Sequence, residues 1–152
     1  MQKKWYLCIL TKKSQIIKMT SAEKIQRWIN LSDYDMETAE AMWQTKRYLY
    51  VGFMCHQVVE KIFKDCYAKL KEDTPPFTHD LEYIALKSGF YERLTDRQQD
   101  FIGELNPLNI EARYSEYKEE ISKRLTPAKC IKLLEQTKEM QQWMKETILS
   151  VK

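Results

Sequence analysis

Histidine is the side chain that exchanges a proton near neutral pH, and this chain of 152 residues holds only two, His56 and His79. His79 follows Pro75-Pro76-Phe77-Thr78 and precedes Asp80. That setting predicts a helix start, with Thr78 as the cap and free backbone N–H groups that attract anions. A phosphate or partner contact through His79 is one reading; a local turn braced by Thr78, His79 and Asp80 is the other. His56 lies at the edge of an apolar helical face beside Phe53 and Val59, which predicts a partly buried structural histidine. Downstream, Arg113 offers a planar, bidentate donor for phosphate or carboxylate, and Tyr114 a ring that can stack on a base. Equally, Arg113 could pair with a carboxylate of the fold while Tyr114 packs its loop down.

Other chemistries find no support. Gly52, Gly89 and Gly103 are scattered and make no phosphate loop, and there is no His-Glu-x-x-His motif. Cys8, Cys55, Cys66 and Cys130 form no Cys-x-x-Cys pair, and the histidines complete no zinc spacing. No metal or cofactor is expected. Neither histidine sits in a recognisable nucleophile setting. Cys55 and Cys66 fall on an apolar face, as reduced, buried thiols do, and a cytoplasmic setting is expected. The excess of 25 basic over 22 acidic residues, a net +3, decides nothing about nucleic acid.

The elements that would carry these residues are helices. Only three glycines and four prolines occur, too few turn residues for a sandwich or barrel. Ile25, Trp28 or Ile29, Ser32, Met36, Ala39 and Trp43 keep a three-four spacing over a first helix of about 22–46. Thr20-Ser21-Ala22-Glu23 reads as its capping box. A second helix, about 49–72, turns Val51, Met54, Cys55, Val58, Val59, Ile62, Phe63, Cys66 and Leu70 to one side. Advancing by about 100° per residue puts Gln57, Glu60, Lys61 and Lys64 together on the other. Glu60 and Lys64, four apart, would pair for about 0.2–0.5 kcal/mol, enough to account for the charges on a solvated face.

Pro75-Pro76 ends the second helix, and Gly89 closes a short one from about His79 to Ser88. Thr95 or Asp96 caps another, ending at Asn106-Pro107; a loop over 108–115 leads to a short polar helix over 116–124. Thr126-Pro127 opens the last helix, whose apolar stripe runs from Ile131 to Val151. The expectation is an all-α, up-and-down bundle of four to five main helices. It forms one domain over 19–152, preceded by an extension, 1–18, of unassigned role. In that extension Trp5 to Leu10 is too short for a signal sequence and lacks a cleavage site, and Met19 is an alternative start. No apolar run approaches the roughly 20 residues of a membrane span.

Four segments, in order over about 22–150, resemble the HEPN family. They are Tyr34-Asp35-Met36-Glu37-Thr38-Ala39-Glu40-Ala41, then Gln57-Val58-Val59-Glu60-Lys61-Ile62-Phe63-Lys64, Thr78-His79-Asp80-Leu81 and Glu111-Ala112-Arg113-Tyr114. The resemblance implies a bundle similar to the C-terminal domain of kanamycin nucleotidyltransferase, commonly a homodimer. It also implies a minimal nucleotidyltransferase as partner in a toxin–antitoxin-like system, or a nucleotide or RNA ligand. The family's ribonucleases place a histidine about four to six residues after an arginine, whereas Arg113 is followed by Tyr114-Ser115-Glu116-Tyr117-Lys118-Glu119-Glu120. Binding without cleavage is therefore the expectation, with no catalytic residue assigned. On this footing Lys61, Lys64, His79 and Arg113 are phosphate contacts and Tyr114 stacks on a base, while Gln57, Glu60 and Asp80 position them. The competing readings are an interaction module with Trp28, Trp43, Tyr48 or Tyr50 as anchors, and a divergent ribonuclease dependent on Arg113.

Overall fold

The computed structural model of the chain describes residues 19–110 and 114–150. Six α-helices lie among them, without a strand: α1 Ser21–Gln44, α2 Tyr48–Lys71, α3 Leu81–Ser88, α4 Asp96–Leu105, α5 Ser115–Arg124 and α6 Pro127–Met144. The all-α bundle expected from the periodicity is the observed fold. A π-helical turn, Lys145–Leu149, prolongs α6, and short 3-10 turns at Tyr91–Arg93 and Asn106–Leu108 follow α3 and α4.

Local chemistry sets most of these ends. Thr20 and Glu23 form a reciprocal box at the start of α1, with Thr20 N–H to Glu23 Oε2 at 2.7 Å and Glu23 N–H to Thr20 Oγ1 at 3.2 Å. The Thr20 N–H bond is the main reason that the Glu23 carboxyl titrates below its ordinary range. Thr95 and Gln98 repeat the device at α4, and Thr126 caps α6 ahead of Pro127. Gly89 ends α3 at φ 83°, a left-handed conformation that glycine adopts without strain.

α2 is the axis of the bundle. Val51, Cys55, Val58, Val59, Ile62, Phe63 and Cys66 are fully buried on it, and α1, α3, α4, α5 and α6 all pack against it. Gly52 lets the segment between α4 and α6 come close: a Cβ there would lie 3.0 Å from Leu125 Cδ1 and 3.2 Å from Leu108 Cδ1. Cys55, Cys66 and Cys130 are free and buried, and burial raises all three thiols, Cys55 to about 12 and Cys130 to about 11. No helix among the described residues is long and apolar enough to cross a membrane.

Three expectations need correction. Thr78 does not cap a helix starting at His79; α3 starts at Leu81 and Asp80 caps it, its Oδ1 accepting the Tyr83 N–H at 3.1 Å. Thr78 Oγ1 instead accepts the Asp80 N–H at 3.2 Å. The second concerns the polar side of α2, which is not a solvated face. Glu60 is buried there, and Lys61 and Lys64 are largely covered. Finally, Trp43 and Tyr48 lean on the core rather than standing free as interface anchors.

Candidate functional site

His56, Glu60 and Lys64 succeed one another at intervals of one helical turn along α2, so their side chains form a row. The loop between α2 and α3 lies across that row. His79 Nδ1 is 2.9 Å from Glu60 Oε2 and 3.1 Å from Oε1. A carboxylate only accepts, so Nδ1 carries the hydrogen. Lys64 donates to Glu60 Oε1 at 2.7 Å. One buried carboxylate thus serves an imidazole N–H and an ammonium together, and the opposite charge of the Lys64 ammonium compensates its burial.

His56 completes the node from beneath. Its ring is fully buried, and its Nε2–H donates to the His79 carbonyl oxygen at 3.0 Å. Burial holds its pKa down at about 4, outweighing the attraction of Glu60, so the ring is neutral at physiological pH. With the proton on Nε2, the lone pair of Nδ1 receives the Gln57 amide at 3.5 Å and stands 3.6 Å from Glu60 Oε2. α2 therefore grips His79 twice, once by its backbone and once by its ring. The His79 side chain is 52% exposed, and no hydrogen bond among the described residues uses its Nε2.

Asp80 and Asn106 lock the other side of the loop. Asn106 Oδ1 accepts the Leu81 N–H at 2.9 Å while its amide donates to Asp80 Oδ1 at 3.2 Å. The first N–H groups of α3 are thus claimed by the protein's own side chains. Anion binding by a bare helix end, one of the two readings of this segment, has no donors left at Leu81 and Tyr83.

The remaining candidates are placed as follows. Lys61 leaves the row and pairs with buried Asp35 of α1. Gln57 and Glu60 both contact the histidine node, and Asp80 fixes the loop that carries His79. Tyr114 is 86% exposed at the start of α5. Arg113, with Glu111 and Ala112, lies outside the described residues. His56 and Asn106 are the two groups that the sequence reading left out of the site. His56 could have been suspected from its position one turn before Glu60; nothing local announces Asn106, because its partners come from another segment.

A separate polar node joins α1, α2 and α6. Ser32 Oγ donates to the Val58 carbonyl at 2.9 Å, and the Gln141 amide reaches Ser32 Oγ at 2.9 Å and Asp33 Oδ1 at 3.0 Å. These bonds are internal to the bundle and offer nothing to a ligand. Among the described residues, no group of three or more His, Cys, Asp or Glu side chains could hold a metal ion.

The family model of the HEPN domain matches residues 25–147, most of the chain. The chain belongs to the HEPN family. No curated protein and no solved structure matches it. The matched span includes α2, the loop carrying His79 and all of the bundle except the first turn of α1 and the end of the π-helical turn, so the histidine node sits inside the HEPN domain.

Proposed function

We propose that this HEPN domain binds a nucleotide or RNA at the His79 loop. The exposed imidazole edge of His79, held over Glu60 and Lys64 with Nε2 unused, is the observation that carries the reading. A phosphate oxygen meeting that edge would find one ring nitrogen and, beside it, an ammonium with hydrogen-bonding capacity beyond Glu60. Arg113 would add a bidentate contact and Tyr114 a stacking ring, with Gln57, Glu60 and Asp80 as positioning groups; Lys61 contributes through its pairing with Asp35. The reading takes 19–152 as one cytoplasmic domain and 1–18 as its extension. Titration calorimetry with ATP and a short oligouridylate tests it. Binding that is lost in His79→Ala supports it, and no heat from the wild-type chain at millimolar ligand removes it.

A second reading, an interaction module, draws on α1. Leu31 and Tyr34 are exposed one turn apart on its outer side, Tyr34 at 67%. Such a face suits a second copy or a minimal nucleotidyltransferase of a toxin–antitoxin-like pair. Light scattering of wild type and Tyr34→Glu, alone and with a nucleotidyltransferase, separates the two readings.

A further inference from the structure

The hydrogen on His79 Nδ1 has a consequence for the ligand. A neutral imidazole owns one N–H and can place it on either nitrogen. In solution a histidine near a phosphate puts it on the nitrogen facing the oxygen. Here Glu60 claims it, through two contacts of 2.9 and 3.1 Å from a carboxylate that is itself buried. His56 fixes the backbone from which the ring hangs, because its own Nε2–H holds the His79 carbonyl at 3.0 Å, and the two Glu60 contacts hold the ring itself. A neutral His79 therefore shows the ligand a lone pair at Nε2, which repels a phosphate oxygen.

The charges around the ring point the same way. The titratable groups facing His79 are Glu60, Lys64 and His56 from α2, and its neighbour Asp80. Glu60 and Lys64 are bonded at 2.7 Å and cancel, and His56 is neutral. The carboxylate of Asp80 is occupied by the Tyr83 N–H and the Asn106 amide. The node gains a net positive charge, and an outward N–H, only when a second proton binds His79 at Nε2.

We propose that this site takes a phosphodiester only together with a proton, Glu60 withholding the Nδ1 hydrogen and His56 acting as the positioning residue that keeps His79 in that pose. The inference rests on the binding reading above and adds its regulation: RNA is held under mildly acidic conditions and released as the medium turns alkaline. The same lone pair would accept from a hydroxyl donor without any proton, so phosphate and sugar contacts at Nε2 respond oppositely to pH.

The test is the affinity for a pentauridylate with hydroxyl ends, whose phosphodiesters do not titrate between about pH 5.5 and 8.5. In the wild-type protein Kd should rise about tenfold per pH unit at the alkaline end, the signature of one linked proton. Glu60→Gln should flatten the profile, since a glutamine amide can donate to Nδ1 and free the hydrogen for Nε2. Binding with no dependence on pH overturns the inference and leaves the binding reading intact; no binding at any pH overturns both. Nitrogen-15 shifts of His79 in the unliganded wild-type protein give a measurement that needs no variant to fold. The neutral ring should carry its hydrogen on Nδ1, and a hydrogen on Nε2 would end the proposal.

Discussion

Glu60 and Asp65 stand little more than one turn apart on α2, both withdrawn from solvent, and they live in opposite circumstances. Glu60 receives His79 and Lys64 and has His56 beside it. Asp65 is fully buried, and neither of its oxygens has a hydrogen-bond partner. No donor reaches its charged form, and burial raises its pKa to about 7 against the opposing pull of Lys69. Burial alone does not decide the state of a carboxylate; the donors that reach it do. At Glu60 the bundle has brought a loop across the helix to supply them, and that loop is where the candidate site lies.

Removing the partnered carboxylate should have the largest effect. Glu60→Leu leaves the Lys64 ammonium and the His79 N–H without an acceptor in a covered place, and is expected to cost about 4 kcal/mol. Chemical denaturation measures it; a loss under about 1 kcal/mol would mean that the two donors find water instead.

Asp65 gives the opposite sign. Its folded pKa of about 7 lies above the ordinary 3.8, so the folded protein holds that proton more tightly than the unfolded chain. The associated stability is complete below about pH 4 and is lost as pH rises toward about 7, by about 4 kcal/mol across that window. Asp65→Asn cannot ionise, so its advantage over wild type should grow over the same window. Melting curves at several pH values check this, and parallel pH profiles for the two proteins would contradict it.

Asn106→Ala probes the loop's far side. It removes a donor to Asp80 and the acceptor of the Leu81 N–H, and should cost about 1 kcal/mol while also weakening ligand binding by loosening His79. The smallest effect belongs to a carboxylate with water around it. Glu119 meets Lys123 at 3.3 Å with both side chains over 70% exposed, and Glu119→Gln should change stability by less than about 0.5 kcal/mol.

Much of the architecture could be read from local chemistry. Thr20 with Glu23, Thr126 with Pro127, and Gly89 each mark an end through bonds made within a few residues. Thr78 and Asp80 could both have capped α3; what separates them is tertiary, since His56 holds the His79 carbonyl and Asn106 the Leu81 N–H. Helical periodicity correctly grouped Gln57, Glu60 and Lys64, because it fixes angles around an axis. It carries no information on what lies above that angle, and so it presented a covered row as a solvated one. The pairing of Lys61 with Asp35 was hidden for the same reason: its partner is on another helix.

Gly52 has one more thing to say about the loop that bears Tyr114. Its missing side chain lets Leu108 and Leu125 rest against the α2 backbone, and these two leucines bracket the arm leading into and through α5. Alanine there would act as a shim one carbon thick, wedged under both leucine tips. Both tips would have to give by a few tenths of an ångström, while the His79 loop, anchored at His56 and Glu60, has no contact with the added carbon. A single methyl group is thus a probe of how tightly Leu108 and Leu125 seat on α2, applied from inside the fold without altering the His79 loop's own side chains.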